Sequence, residues 1–197
     1  MGRRNRYDEG VPDTLPTRVR RRRRLIISLL LSPAAVAFAA APASQPATAP
    51  SLLGYRPITY FQDHCANCHG DYGSTYDPAF NAKLSDAQLA GAIRTMAEGP
   101  GRAPLTEEQV RVQVAYHRTL GEAKPFVTVA EVRREADALH LSGDVSPEAT
   151  VRVTVGERTI QAEVTEHEWT AVLRPVPVGN VVITATSNGD TISTSVP

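Results

Sequence analysis

Cysteine and methionine each occur only twice in this chain of 197 residues, and tryptophan once. With Cys65 and Cys68 as the only thiols, no four-cysteine zinc site can form. Nor is there a widely spaced pair of the kind that joins the two sheets of an antibody domain. Met1 is the initiator, so Met96 is the one internal thioether. Net charge is also missing, but the formal zero conceals two unequal parts. Nine of the 21 basic residues are arginines before Leu25 (Arg3, Arg4, Arg6, Arg18 and Arg20 to Arg24), against three of the 21 acids. From Leu25 onward, 12 basic residues face 18 acidic ones, and an acidic chain argues against nucleic acid as a partner. No set of acid, base and nucleophile stands out either, so an enzyme is not expected.

What is there centres on Cys65-Ala66-Asn67-Cys68-His69-Gly70, or CANCHG. Two thiols within one helical turn can add to the two vinyl groups of a haem, and the adjacent His69 can bind its iron through an imidazole nitrogen. Half of a zinc site is a poor alternative, because a structural zinc needs four ligands and no second pair completes them. A thioredoxin-like redox pair expects a βαβ context, and a structural disulfide leaves the following His69 unexplained.

The arginines Arg20 to Arg24 run directly into the apolar stretch Leu25 to Ala41, LIISLLLSPAAVAFAAA. A basic region, an apolar run and small residues at Ala37 to Ala39 and Ala39 to Ala41 are the parts of an export signal. Retention of residues 25–41 as a membrane anchor is the alternative, since the run is near the lower length limit for a spanning helix. Residues before Thr17 show no pattern. Ala41 to Ser51, APASQPATAPS, reads as an extended linker with too little apolar surface to fold.

In residues 52–124 the pattern is helical. Ile58 to Cys68 places Phe61, Cys65 and Cys68 on one face. Ser85 and Gln88 form one capping-box pattern and Thr106 and Gln109 a second. The first opens a helix carrying Leu89, Ile93 and Met96 on a stripe and stopped by Glu98 to Gly101. The second opens a helix to about Leu120 with Val110, Val114 and Tyr116 as its apolar face.

This stretch resembles the mono-haem class I cytochromes c, in which an N-terminal helix leads into C-x-x-C-H-G and a C-terminal helix crosses it. The resemblance implies one covalent haem c, with Cys65 and Cys68 as its thioether links and His69 as the proximal iron ligand. A methionine often precedes a proline in the loop before the last helix of that family, but here Ala103 precedes Pro104. Met96 is the nearest thioether and is read as the sixth ligand. His117, His64 and an open position compete with it, and a core methionine packed with Leu89 and Ile93 is the alternative for Met96 itself. The resemblance also suggests Pro78 as acceptor for the proximal imidazole and Tyr72, Tyr76 and Arg102 as propionate contacts, with turn and loop residues as the alternatives.

From residue 125 the pattern alternates. Val151, Val153 and Val155, then Ile160, Ala162 and Val164, then Trp169, Ala171 and Leu173, then Val181, Ile183 and Ala185 each offer one apolar face. Turns are expected at Gly156-Glu157, Val178 to Asn180 and Asn188-Gly189. With Leu139 to Leu141 and Phe126 to Val129, six or seven strands are expected, with Trp169 as a core anchor and His140 and His167 solvated. The stretch resembles bacterial immunoglobulin-like domains.

The expected fold is therefore two domains, a small all-α cytochrome c domain plus an all-β immunoglobulin-like sandwich. The expected boundaries are 1–41 for the N-terminal extension and export signal, 42–51 for the linker, 52–124 for the haem domain and 125–197 for the sandwich. The expected function is that of an exported c-type cytochrome, periplasmic or membrane-anchored. It would carry single electrons through one covalent haem to a redox partner protein with a basic docking patch. A haem-based sensor or small-ligand binder is the alternative. A surface binding protein whose β domain does the recognition is another.

Overall fold

The computed structural model describes residues 47–196, so the export signal and residues 42–46 of the linker lie outside the described residues. Five helices come first: α1 (Pro57–His64), α2 (Ala66–His69), α3 (Pro78–Lys83), α4 (Asp86–Glu98) and α5 (Glu107–Glu122). A two-residue strand, β1 (Ala47–Thr48), precedes them. Eight strands follow: β2 (Glu131–Arg134), β3 (Leu139–Asp144), β4 (Thr150–Val155), β5 (Arg158–Gln161), β6 (Glu163–Thr165), β7 (Glu168–Leu173), β8 (Val181–Ser187) and β9 (Asp190–Val196).

The strands make two sheets, ordered β1-β9-β8-β4-β5 and β2-β3-β7-β6. All pairings are antiparallel except β1 on β9. Alternation decides which face is buried: Val151 and Val153 of β4, Trp169 and Leu173 of β7 and Ile183 of β8 are fully enclosed, and the residues that point to the opposite face are exposed or half-buried. The run from Ile160 to Val164 changes sheets midway. Its first part, β5, pairs with β4, and its second, β6, pairs with β7. Ala162 sits at the crossing, buried, with its N–H donating to the Val151 carbonyl at 2.9 Å. The Asn188-Gly189 turn joins β8 to β9 with both residues at positive φ (53° and 89°), as a tight hairpin requires. Phe126 to Val129 is wholly buried but forms only an isolated bridge, Val127 to Val145, rather than a strand.

The expectation of a separate small all-α domain is overturned. The described residues divide about evenly between helix and strand, and the helical part shares its main apolar cluster with the two sheets. One apolar cluster runs without a break from Tyr55, Ile58 and Phe61 of the helical part through Tyr116 to Phe126, Leu141 and Trp169. The helices have only a small cluster of their own, Leu89 and Ile93 against Val110 and Val114. The physical reason lies in α5, which is buried on two sides. Val110 and Val114 face α4, whereas Val112 and Tyr116 join the cluster shared with the sheets. Tyr116 packs against Phe126, ring centroids 5.3 Å apart, immediately across the Lys124-Pro125 step.

Polar contacts fasten the same junction. Asp144, at the end of β3 and fully buried, accepts from the backbone N–H groups of Ile58 (2.7 Å) and Thr59 (3.0 Å), capping α1 from the sheet. Its other oxygen accepts from Arg56 at 3.3 Å and from the Thr59 hydroxyl at 3.2 Å. Burial pushes the Asp144 carboxyl up, although the two amides, Arg56 and His167 all pull it down.

Candidate functional site

The CANCHG stretch does not continue α1. Cys65 leaves helical geometry (φ −122°, ψ −34°), so α1 ends at His64 and a single turn, α2, restarts at Ala66. Cys65 serves both helices: its N–H donates to the Phe61 carbonyl at 2.8 Å, and its carbonyl accepts from the N–H groups of Cys68 and His69, each at 3.1 Å. Gly70 closes the turn at φ 73°, where a Cβ would come within 2.3 Å of Ser74 Oγ. The glycine after the histidine is therefore a steric requirement of the turn. Both thiols are free, Cys65 half-buried and Cys68 exposed. Burial, and then the neighbouring Cys68, push the Cys65 thiol up, so its neutral form is the one present at neutral pH.

Beside this turn lies a cavity of about 290 Å³, and Cys65, Cys68, His69 and Met96 all line it. The four residues singled out in the sequence are thus brought to one site. His69 stacks on Tyr76 with ring centroids 4.8 Å apart and planes 6° apart, and Phe61 lies 6.5 Å away. Burial pushes the Tyr76 hydroxyl up to about 12, which keeps it a neutral donor. Met96 stands at the end of α4 with 40% of its surface exposed, while Leu89 and Ile93 are buried. It is therefore not a member of their core stripe, a place taken by Ala97.

Both capping boxes are formed. At α4 the Ser85 N–H donates to Gln88 Oε1 (2.9 Å) and the Gln88 N–H to Ser85 Oγ (3.3 Å); Thr106 and Gln109 do the same for α5. They fix where these helices begin and hence where Met96 and His117 stand. His117 also lines the cavity, but it shares the wall of His69: its ring lies 5.6 Å from both Tyr76 and Phe61. Its Nδ1–H donates to the Gln113 carbonyl at 2.8 Å, and burial pushes the imidazole down to about 4. His64 lines the cavity as well, its ring 4.8 Å from Tyr60, whose hydroxyl donates to the Ala103 carbonyl.

Other expectations divide. Pro78 opens α3 behind the N-cap Asp77, whose carboxylate accepts from the Ala79 N–H at 2.8 Å. Tyr76 lines the cavity, whereas Tyr72 and Arg102 are not among its lining residues. Tyr72 instead meets His167, hydroxyl to Nδ1 at 3.3 Å, and His167 Nε2 lies 3.3 Å from the Thr59 hydroxyl. His167 thus joins the helical part to the sheets and is half-buried, not the solvated loop residue that its acidic neighbours suggest. Two further residues, Asp144 and Gln113, carry no signal that the sequence reading used. Gln113 is 1% exposed, lines the cavity and carries a buried amide nitrogen with no partner among the described residues. The one available signal is a glutamine set directly between two valines, Val112 and Val114, in α5.

The donor set fits a haem better than a bare ion. Among the described residues no three His, Cys, Asp or Glu side chains gather into a metal site. A porphyrin brings four nitrogen donors of its own and asks the protein only for axial ligands, which His69 and Met96 can supply, and for thiols at its vinyl edge. Comparison of the chain with protein-family models, curated proteins and solved structures returned no match.

Proposed function

We propose that this protein is an exported c-type cytochrome that carries single electrons through one covalently attached haem c. The observation that carries the reading is that Cys65, Cys68, His69 and Met96 line one cavity although Met96 comes from a different helix. The haem, when bound, supplies the one-electron iron couple. The chain does the rest. Cys65 and Cys68 would tether the group at the break between α1 and α2, and His69, stacked on Tyr76, would be the proximal ligand. Met96, from α4, would be the second protein ligand to the iron. A thioether facing a neutral imidazole favours reduced iron and suits a carrier. Export follows from Arg20 to Arg24 and the apolar run behind them, and a redox partner with a basic patch suits the acidic remainder of the chain.

The test is the spectrum of the matured protein and of Met96→Ala. A sulfur-to-iron band present in the wild type and lost in the variant is the expected result. A band that survives in Met96→Ala places the ligand elsewhere.

A second reading, a haem-based binder of small ligands, is favoured by the exposure of Met96, which leaves the sixth ligand displaceable. Rapid carbon monoxide binding to the resting ferrous protein supports the binder; slow or no binding supports the carrier.

A further inference from the structure

Gln113 is engaged at its side-chain oxygen and at its backbone carbonyl. Its Oε1 accepts from the Tyr55 hydroxyl at 2.8 Å, and its backbone carbonyl accepts from His117 Nδ1 at 2.8 Å. With Oε1 engaged, Nε2 points away from Tyr55. There it is buried and meets no acceptor among the described residues, although the side chain lines the cavity. A buried donor left unmet costs more than an ordinary hydrogen bond gains, so native structures keep few of them without a use. Tyr55 is itself buried, so the pair is fixed before anything binds. That is the arrangement of a recognition group with its direction preset.

We propose that Gln113 Nε2 is the polar recognition group of the cavity and donates a hydrogen bond to an acceptor atom of what the cavity binds. Resting on the haem reading, that acceptor is a carboxylate of the haem or a small ligand on its iron. Both present a lone pair to a fixed N–H.

The test compares wild type, Gln113→Leu and Gln113→Leu with Tyr55→Phe, which removes the hydroxyl left unpaired. Attachment of haem is first verified from the mass of each denatured chain. If the acceptor is an iron ligand, the C–O stretch of the ferrous carbon monoxide adduct rises in the variants and ferric cyanide affinity falls about fivefold. If it is a carboxylate, the stretch stays and the acid-range pH dependence of the midpoint potential moves to higher pH. Unchanged stretch, affinity and potential in attached protein overturn the proposal. The ligand-free chains give a reading that does not need haem. The double variant then equals or exceeds wild type in urea midpoint, because the lost amide donor satisfied nothing. A lower midpoint means that Gln113 is merely structural and overturns the proposal. Absence of haem from all three chains counts against the cytochrome reading, and the urea comparison still judges Gln113.

Discussion

Asp144 ties the sheets to the first helix through four hydrogen bonds, and it is the residue whose loss should be felt most. Asp144→Ala strands two helix N–H groups and Arg56 and is expected to cost about 3–5 kcal/mol in urea unfolding. Asp144→Asn keeps an acceptor for the amides and should cost less. Gly143 beside it has no room for a side chain. A Cβ there would stand 1.9 Å from the Thr128 carbonyl, which already accepts from Trp169 Nε1 at 2.9 Å. Gly143→Ala should therefore destabilise the protein by more than 1 kcal/mol by the same assay, order of magnitude. His117 sets a pH dependence. Burial lowers its folded value from 6.5 to about 4, against a Gln113 carbonyl that raises it and a His69 that lowers it further. The folded protein holds the neutral ring, so between these values the unfolded chain binds the extra proton. Stability from this group is complete above pH 6.5 and is lost as pH falls through about 4, by about 3 kcal/mol in all. His117→Leu should flatten that part of the urea midpoint against pH curve in ligand-free protein; an unchanged slope assigns the acid sensitivity to other groups.

The elements were legible where the signal is local. Both capping boxes are formed as their sequence spacing predicts, and three of the four alternating runs, those of β4, β7 and β8, bury the residues they should. What was not legible depends on distant partners. The run from Ile160 to Val164 alternates smoothly, yet it divides between two sheets at Ala162, because only the pairing partners β4 and β7 decide where it crosses. The cap of α1 comes from Asp144, 86 residues away, and no local pattern marks it. In α5 a single apolar face was expected. Val110 and Val114 instead serve α4 while Val112 and Tyr116 serve the shared core, so the helix is enclosed from two directions. Tyr116→Ala should accordingly cost about 3–5 kcal/mol in the unfolding of the whole chain, including loss of near-ultraviolet signal from Trp169 in the same transition. A variant that unfolds the helices while Trp169 keeps its signal would contradict the shared core.

At the scale of the molecule, the change of pattern at Pro125 reads as a domain junction, but Phe126 immediately after it is fully buried. Composition and periodicity report which residues seek a core and cannot report whether two stretches seek the same one. A fragment limited to residues 52–124 should thus lack stable tertiary structure, measured by amide dispersion, because its largest apolar cluster is completed by residues of the sheets. The candidate site was more legible than the fold: Cys65, Cys68, His69 and Met96 line one cavity, while Gln113 inside it depended on a tertiary partner, Tyr55. We propose that this cavity holds a haem bonded to both cysteines. The most direct measurement is the mass of the denatured chain after export and haem maturation, for wild type and for Cys65→Ser with Cys68→Ser. An increase of one haem in the wild type that survives denaturation and is absent from the double variant is the predicted result. An unmodified wild-type mass under conditions that mature a control cytochrome would overturn the haem reading.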